Sequence, residues 1–518
     1  MGFSSVLIAN RGEIAVRIIR ACREEGLRSV AVCSEADKTA PHVLLADETV
    51  LLGPAQSSES YLVIEKLLGA ARSTGAEAIH PGYGFLSESS AFARAVDDAG
   101  LAFVGPPVSA MEAMGDKPTA RARMHAAGVP VISGSEPVAS SEEALAAAGE
   151  IGFPVLLKAV AGGGGKGMHL ARGAREVGPA LKRARGEAAT AFGDDRVYLE
   201  KFLEDPRHIE VQVLSDASRS VHLWERECSV QRRHQKLIEE APAATIHPEV
   251  RTAMGEVAVR AAEAVGYRGA GTIEFLAEGC ESSSGRFYFL EMNTRIQVEH
   301  TVTEMITGVD LVREQLRIAR GLPLLGGQEP PRPRGHAVEC RISAEDPANG
   351  FLPSTGVVTA VEIPTGPGVR WDGGIRRGTE VGLHYDPLLG KLIVHGEDRP
   401  AALARMLRAL EELRIEGVAT TAPFHLAVLR EPDFRANQIS IRYLEMHPDL
   451  VDPGRAALEE AALAAAGLLE LDRRPGGGVA TRGRRSDPTG STDSRDPCGA
   501  ASSTGSRRLS PWVMAGHQ

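Results

Sequence analysis

The chain has 518 residues, which corresponds to about three domains at roughly 150 residues each. Its 58 Lys and Arg residues are outnumbered by 68 Asp and Glu residues, and the net charge of −10 argues against a nucleic-acid partner held by bulk charge. Hydrophobic residues make up 43% of the chain, no stretch is apolar enough to cross a bilayer, and six scattered cysteines indicate neither a disulfide framework nor a zinc motif. We expect a globular cytoplasmic protein with no nucleic-acid and no membrane partner.

The beginning of the chain alternates strand and helix signals. Residues 6–9 predict a short buried strand, residues 13–21 have helical apolar spacing, and residues 30–33 predict a second strand, which together make a βαβ unit. A dinucleotide-binding unit carries Gly-x-Gly-x-x-Gly between its first strand and helix, whereas this chain has NRGEIA at residues 10–15. The pattern therefore predicts an α/β domain and argues against a dinucleotide site.

A glycine-rich segment, GGGGKG at residues 162–167, lies between two predicted strands at 155–158 and 168–171. A Rossmann motif would open a helix here, and a P-loop would place Lys and Ser or Thr where Met168 and His169 stand. The segment instead predicts a flexible hairpin tip whose backbone N–H groups cover phosphates, with Lys158 and Lys166 adding positive charge. A plain surface loop remains the alternative.

Two further strands, at residues 271–276 and 287–293, predict a hairpin. The period of two places Glu291 and Asn293 on one face together with Phe287 and Phe289, and Glu274 lies on the neighbouring strand. Two carboxylates about 4 Å apart repel by roughly 4 kcal/mol at an effective dielectric of 20, so their convergence favours a divalent cation between them. Oxygen ligands suit Mg²⁺ or Mn²⁺. Ordinary solvent-facing glutamates are the alternative.

The next segment, TRIQVEH at residues 294–300, is rich in polar side chains. If it stays extended, Arg295, Gln297 and Glu299 share a face directly after the predicted metal ligands. A guanidinium matches a planar oxyanion such as bicarbonate, and Glu299 is placed to accept its proton. The run at residues 231–236 adds cations, which a solvated basic face would also explain.

The last third of the chain changes character twice. The Pro- and Arg-rich residues 328–335 predict a boundary, followed by a strand at 336–342 and a helix at 401–413 with a leucine face for core packing. Beyond about residue 454 an Ala-rich helical stretch leads into residues 473–510, which contain no Phe, Tyr, Trp, Ile or Met. Such a segment buries too little apolar surface to fold, so we predict a disordered tail.

Taken together, several motifs resemble those of the biotin carboxylase family. They include IANRGEIA at 8–15, HPGYGFLSE at 80–88, MGDK at 114–117, the glycine segment at 158–168, RRHQK at 232–236, EMNTRIQVEH at 291–300 and ECR at 339–341. The resemblance runs in order over about residues 3–447. It implies an α/β fold, α+β in part, of the ATP-grasp type. The implied domains are a Rossmann-like N-terminal domain at 1–113, an ATP-grasp domain at 114–330 with a mobile glycine-rich lid at about 131–203, a C-terminal biotin carboxylase domain at 335–447, and the helix and tail at 454–518.

The resemblance also implies roles for individual residues, with the adenine held by residues 200–203. Metal binding is implied for Glu274, Glu291 and Asn293. Bicarbonate and biotin binding is implied for Lys236, Arg295, Val298 and Arg341, to which the polar pattern adds Gln297. Catalysis is implied for Arg295, Lys236, Glu299 as general base and Arg341 as the group that stabilises the biotin enolate. ATP binding is expected from Lys117, Lys158, Gly164, Gly165, Glu200, Lys201, Phe202, Leu203, His208, Gln231, His234, Glu274, Leu276 and Glu291.

The implied activity is ATP-dependent carboxylation of biotin with bicarbonate, by way of carboxyphosphate, as the first half-reaction of an acetyl-CoA or acyl-CoA carboxylase. Because the last lysine of this chain is Lys391, we expect biotin to arrive on a separate biotin carboxyl carrier protein. Carboxyltransferase subunits and a second copy of the chain are the other implied partners. The alternatives are another bicarbonate-phosphorylating ATP-grasp ligase, such as a carbamoyl phosphate synthetase half, and an inactive scaffold protein.

The chain departs from the family pattern at two positions where Pro is usual, Thr301 and Thr355. Both are predicted to be surface-loop changes.

Overall fold

The computed structural model describes residues 2–160, 167–325 and 330–451. The predicted lid glycines Gly164 and Gly165 lie outside these ranges, and so do the predicted helix and tail at 454–518. The side chain of Lys117 is likewise outside the description, although its backbone begins a helix.

The first part of the chain forms a five-stranded parallel sheet with strand order β3-β2-β1-β4-β5. All four residues of β1 are buried, and β1 pairs with β2 and β4 in parallel, so the predicted βαβ unit is confirmed. The elements are β1 (Ser5–Ile8), α1 (Gly12–Glu24), β2 (Arg28–Ser34), α2 (Pro41–Leu45), β3 (Glu48–Gly53), α3 (Ile64–Thr74), β4 (Ala78–His80), α4 (Ser90–Asp98) and β5 (Ala102–Phe103).

The turn after β4 is tied to the end of β1 by one side chain. The Asn10 amide donates hydrogen bonds of 2.7 Å to the backbone carbonyls of both Pro81 and Tyr83. Gly82 sits between them at φ +65°, a conformation that glycine adopts without strain. This brace places Tyr83 and Gly84 on the wall of the central cleft described below.

A small three-stranded antiparallel sheet follows, with strand order β7-β6-β8. Strand β6 pairs with β7, which confirms the predicted strands on both sides of the glycine-rich segment. Residues 131–138 join this sheet to the large one, because Val131 bridges to Phe289 and Gly134 bridges to Glu200. The elements are α5 (Val108–Gly115), α6 (Lys117–Ala126), α7 (Ser141–Ile151), β6 (Val155–Ala159), β7 (Met168–Ala171), α8 (Ala174–Phe192) and β8 (Val197–Lys201).

An eight-stranded sheet runs across the predicted boundary at 328–335, with strand order β13-β12-β9-β10-β11-β14-β21-β19. The pairing of β11 with β14 joins the two sides of that boundary into one sheet. The strands before the boundary are β9 (Arg207–Ser215), β10 (Ser220–Arg232), β11 (Gln235–Ala241), β12 (Gly269–Glu278) and β13 (Arg286–Asn293); the helices there are α9 (Pro248–Ala264), α10 (His300–Thr307) and α11 (Leu311–Ala319).

The two faces of this sheet differ in chemistry. On β9, Ile209 and Val211 alternate with His208, Glu210 and Gln212, so one face packs into the core and the other is polar. The predicted hairpin of β12 and β13 is confirmed, with Glu274 opposite Glu291.

The prediction that Phe287 and Phe289 share a face with Glu291 is wrong. The ladder shifts register between Glu274 and Phe275, so Phe289 pairs with Phe275 and joins the apolar core on the opposite face. Such a bulge inserts one residue and thereby reverses the alternation of side chains beyond it.

The C-terminal elements complete the sheet and cover it. Leu403 and Leu410 of α12 are buried and Leu407 packs beside them, so the predicted leucine face is confirmed. The elements are β14 (His336–Ser343), β15 (Glu345–Asp346), β16 (Leu352–Pro353), β17 (Gly356–Val357), β18 (Ala360–Glu362), β19 (Val369–Gly373), β20 (Glu380–Val381), β21 (Leu388–Gly396), α12 (Arg399–Glu412), β22 (Arg414–Glu416), α13 (Ala422–Arg430), α14 (Pro432–Arg435), α15 (Tyr443–Met446) and α16 (Pro448–Val451).

The cysteines and the helices of the described ranges bear on disulfide bonds and on membrane spans. The five cysteines in them are buried and unpaired. No helix of the described ranges is long and apolar enough to cross a membrane.

Candidate active site

The polar face of the large sheet is centred on Lys236, near the start of β11. Its ammonium donates hydrogen bonds to three carboxylates: Glu210 on β9, Glu274 on β12 at 2.8 Å, and Glu299 at 2.7 Å. The residues Glu210, Glu274 and Glu299 are all buried. Burying three carboxylates is costly unless cations and hydrogen bonds compensate, and Lys236 supplies both to each of them.

The electrostatics of this cluster keep its members charged. Burial alone would lower the pKa of Lys236, but the charges of Glu210, Glu274 and Glu299 outweigh it and raise the pKa well above its usual range. Burial alone would raise the pKa of Glu299, but Lys236 and Arg341 hold it below its usual range. Glu299 is therefore a carboxylate at neutral pH, as a proton acceptor must be.

Arg341, on β14, holds the second oxygen of Glu299. Its Nη2 donates to Glu299 Oε2 at 2.8 Å, and its Nε donates to Glu239 Oε1 at 2.6 Å. Glu239 is opposite Glu339 in the β11–β14 ladder, and burial raises the pKa of both carboxyls. Arg341 is thus held by hydrogen bonds to Glu239 and Glu299 on two sides.

The segment from Thr294 to Glu299 is a loop with turns, so the condition that it stays extended is not fulfilled. Arg295 and Glu299 nevertheless reach the same region. Gln297 instead is buried, donating to Glu274 Oε1 at 2.9 Å and accepting from Arg226 at 2.8 Å. In this structure the Gln297 amide makes hydrogen bonds inside the protein, and its contact with substrate stays a prediction.

Arg226 on β10 is completely buried and organises this interior. It donates to Glu210, Gln212, Thr272, Gln297 and Thr303. These partners come from β9, β12, the loop and α10, so one side chain holds four parts of the site together.

A cleft of about 430 Å³ opens beside the cluster. Arg295, Val298 and Arg341 line it together with Tyr83 and Gln235. The Arg295 guanidinium is oriented by Glu88 at 3.0 Å. It also donates to Asn293 Oδ1 at 3.0 Å, which joins the cleft to the strand of predicted metal ligands.

The predicted metal ligands lie next to one another. Glu274 and Glu291 are opposite in the ladder, and Asn293 donates from its amide to Glu274 Oε1 at 2.9 Å. Burial alone would raise the pKa of Glu274, but Lys236 and His208 lower it well below its usual range, so its oxygens are anionic. His208 Nε2 lies 3.2 Å from Glu274 Oε2. Two carboxylates and an amide oxygen fit a hard divalent cation.

The small sheet carries the predicted adenine and phosphate contacts. Lys158 on β6 donates to Glu200 Oε2 at 2.6 Å, and Arg121 of α6 donates to Glu200 Oε1 at 3.2 Å. The Lys201 ammonium donates hydrogen bonds to the backbone carbonyls of Gly152 and Phe153. Leu203 is buried beyond the end of β8.

The other predicted ATP contacts are distributed along the large sheet. Gln231 donates to the carbonyl of Cys228 at 2.7 Å, and Leu276 is opposite His208 in the β9–β12 ladder. His234 is exposed in the turn between β10 and β11, with φ +66°. The structure therefore brings the predicted metal ligands, Lys236 and Glu299 together, and it places His234 at an exposed hairpin tip.

Sequence reasoning missed three residues of the site: Glu210, Arg226 and Glu239. For Glu210 a signal was present, because His208, Glu210 and Gln212 alternate with apolar residues and so predict a polar face. For Arg226 and Glu239 no local sequence pattern indicates a place in the site, because their contacts depend on which strands are neighbours.

The prediction that Thr301 is a surface-loop change is wrong. Thr301 is fully buried in the first turn of α10, and its hydroxyl donates to Glu339 Oε2. Thr355 is exposed in the loop between β16 and β17, as predicted.

Three family models match successive parts of the chain. They are the biotin carboxylase N-terminal domain at residues 2–111, the ATP-binding domain of the carbamoyl-phosphate synthase L chain at 116–326, and the biotin carboxylase C-terminal domain at 339–446. "Biotin carboxylase" of Haemophilus influenzae is 52% identical over 443 residues, covering 85% of this chain and 98% of that protein. "Biotin carboxylase 1" of Bacillus subtilis is 50% identical over 444 residues, covering 85% and 98%.

Solved structures agree with these matches. A Campylobacter jejuni biotin carboxylase complex with ATP aligns with a TM-score of 0.81 and 47% identity, covering 86% of this chain and 99% of that one. The biotin carboxylase domain dimer of Hydrogenobacter thermophilus 2-oxoglutarate carboxylase, solved with MgADP and bicarbonate, aligns with a TM-score of 0.80 and 47% identity, covering 87% and 99%. The fold and the site thus define an ATP-grasp enzyme, an ATP-dependent ligase. The chain belongs to the biotin carboxylase family.

Proposed function

We propose that this protein carboxylates biotin on a separate carrier protein, using ATP and bicarbonate, as the first half-reaction of an acyl-CoA carboxylase. The observation that carries the proposal is the position of Glu299. Its two oxygens accept hydrogen bonds from Lys236 and Arg341, beside a cleft lined by Arg295 and Val298. This arrangement supplies a carboxylate base surrounded by the cations that a small oxyanion needs.

In the first step, Lys236, Arg295 and the backbone at Val298 hold bicarbonate next to Glu299. Glu299 takes the bicarbonate proton, and the resulting oxygen attacks the γ-phosphorus of ATP. The bond from that phosphorus to the bridging oxygen of ADP breaks, which yields carboxyphosphate and ADP. Because the cations are oriented before the reaction, they stabilise the developing charge without reorganisation.

ATP binding is assigned to residues on both sheets. Lys158 supplies a positive charge for the phosphates, and Glu200 to Leu203 border the adenine. Lys117, Gly164, Gly165, Gln231, His208, His234 and Leu276 complete the proposed set. Glu274, Glu291 and Asn293 would hold a magnesium or manganese ion, which when bound neutralises charge on the phosphate oxygens.

In the second step carboxyphosphate separates into CO₂ and phosphate. The phosphate takes the proton of the biotin ureido nitrogen, and that nitrogen then adds to CO₂ to form the N–C bond. Arg341 stabilises the negative charge that develops on the ureido oxygen. Its place between Glu239 and Glu299 supports this role, because hydrogen bonds to both side chains fix the direction of the guanidinium.

The proposed domains are 1–113, 114–330 with a lid at about 131–203, and 335–447. The proposed partners are a biotin carboxyl carrier protein, carboxyltransferase subunits and a second copy of this chain. The solved dimer of the Hydrogenobacter relative supports the last of these. A cytoplasmic location stays a prediction.

The test measures ADP release by the purified protein with Mg-ATP and bicarbonate. We expect free biotin to accelerate ADP release, and bicarbonate omission to abolish the acceleration. Biotin-independent turnover that forms carbamoyl phosphate when ammonia is added would instead support the other ligase class. Absence of any bicarbonate-dependent ADP release, from protein that melts cooperatively, would favour the scaffold alternative.

A further inference from the structure

Lys391, on β21, is a completely buried lysine that the proposed mechanism does not use. Its ammonium donates a 2.7 Å hydrogen bond to the backbone carbonyl of Val298 and lies 3.3 Å from Glu13 Oε1 on α1. The ring of Tyr83 is 5.9 Å away. One side chain of the C-terminal part of the chain therefore contacts the loop of the candidate site and the first helix of the protein.

The burial of this group requires compensation. A lysine with no exposed surface is stable as a cation only when a carboxylate and hydrogen-bond acceptors surround it. Glu13 is itself buried, and neither of its oxygens accepts a hydrogen bond from a described residue. Lys391 and Glu13 form a buried ion pair when Glu13 is ionised, and the charge of Lys391 also acts on the buried carboxyls of Glu339 and Asp372. The hydrogen bond of Lys391 is directed at Val298.

The acceptor of this hydrogen bond belongs to the loop that ends in Glu299. Residues 294–299 form no regular ladder, so their backbone is fixed by individual contacts. Val298 lies between Arg295, which lines the cleft, and Glu299, which accepts from Lys236. Holding the Val298 carbonyl therefore fixes the peptide groups on which the oxyanion would rest.

We propose that Lys391 is a positioning residue for the bicarbonate site, acting through the Val298 carbonyl. This inference rests on the proposed function of that loop. Glu13 supplies a negative charge that offsets the cost of burying the Lys391 ammonium. The role differs from a purely structural one because loss of Lys391 should weaken the binding of bicarbonate and not that of ATP.

The experiment compares Lys391→Met, Glu13→Gln and the double variant with the wild-type protein. Assays are run at pH 8, above the pKa of Glu13, which burial raises to about 7. The Michaelis constants for bicarbonate and for ATP are measured separately from biotin-stimulated ADP release, and thermal melting reports stability. Lys66→Met, at an exposed lysine of α3, is the matched control.

For Lys391→Met we expect the bicarbonate KM to rise by roughly 10- to 100-fold, as for loss of a hydrogen bond from a charged donor. The ATP KM should change less than twofold. The double variant should regain part of the lost melting temperature, because Glu13 no longer leaves a buried carboxylate without its lysine. Its bicarbonate KM should stay high, because the donor to Val298 is still absent. If Lys391→Met alone does not fold, the double variant provides the kinetic comparison.

Two results would overturn the inference while the proposed function stands. One is an active Lys391→Met variant whose bicarbonate KM stays within twofold of wild type. The other is a double variant that recovers both melting temperature and bicarbonate KM, since the lysine would then act only by pairing with Glu13. A wild-type protein without bicarbonate-dependent ADP release would overturn the proposed function and this inference together.

Discussion

The two sheets that carry the candidate site hold their charged side chains in different ways. On the large sheet, Lys236 contacts three buried carboxylates, and Glu299 has a second partner in Arg341. On the small sheet, Lys158 has one carboxylate partner among the described residues, Glu200, and the two side chains are 23% and 12% exposed. Arg226 and Glu210 of the large sheet are 0% exposed.

This difference divides the site into two parts. We call the buried cluster around Lys236 the fixed part and the Lys158–Glu200 pair the exchangeable part. Moving a buried charged side chain away from its several hydrogen-bonded partners would leave those partners without a compensating charge. We therefore expect the cluster on the large sheet to keep its geometry during the reaction. A partly exposed pair gains little from its contact, because water screens the charges. In the proposed ATP complex Lys158 leaves Glu200 for a phosphate, while Arg121 remains beside Glu200.

The largest effect is expected from removing the base in the fixed part. Glu299→Gln should lower the rate of biotin-stimulated ADP release by roughly 10² to 10⁴-fold, because an amide accepts no proton at neutral pH. Glu204→Gln, at an exposed position after β8, should behave like wild type. A nearly normal rate for Glu299→Gln would remove this residue from the role of base.

The rigidity of the fixed part is tested at Arg226. Arg226→Met should lower the free energy of unfolding by about 3–5 kcal/mol, since Glu210 would lose its guanidinium partner in a fully buried position. Urea unfolding measures the change. Arg94→Met, which breaks only an exposed pair with Glu112, should cost at most about 1 kcal/mol. Equal losses in the two variants would contradict the contrast between buried and exposed pairs.

The exchangeable part is tested at Lys158. Lys158→Met should raise the KM for ATP by roughly 10- to 100-fold, as expected for loss of a charged phosphate contact, and leave the bicarbonate KM nearly unchanged. Its melting temperature should change little, because the pair with Glu200 is partly exposed. Lys182→Met, at an exposed lysine of α8, is the control. A large loss of stability would show that Lys158 is fixed rather than exchangeable.

The last test concerns the dependence of stability on pH. Burial, the largest cause, raises the pKa of Glu239 to about 8, although Arg341 opposes it. A raised carboxyl pKa contributes stability that is complete below the unfolded value and is lost as pH rises through the folded value. Relative to wild type, Glu239→Gln should therefore gain unfolding free energy between about pH 4.5 and 8 in urea titrations. A difference that is flat or falls with pH would contradict the raised pKa.

Much of the fold followed from local patterns. Alternation and helical spacing located β1, α1 and the hairpin of β12 and β13, and the predicted hairpin placed Glu274 on the strand next to Glu291. The failures have local causes too. A bulge moved Phe289 to the opposite face, and a turn replaced the extended segment that would have exposed Gln297. A single inserted residue reverses a face, and the period of two does not reveal it.

Thr301 shows a different limit. A substitution of Pro by Thr next to a loop carries no sign of burial, yet the hydroxyl reaches a buried carboxylate on another strand. Only the position of Glu339 explains why a hydrogen-bond donor is useful there.

By itself, the amino-acid order determined where strands and helices form, which residues share a face where no bulge intervenes, and which chemistry they offer, because backbone geometry sets the periods of two and 3.6. The tertiary structure decided which strands are neighbours. Pairing β11 with β14 and β14 with β21 brings Lys236, Arg341 and Lys391 to one loop from three strands of the sheet. Such contacts join residues far apart in the chain, and their energies depend on burial, which no local pattern records.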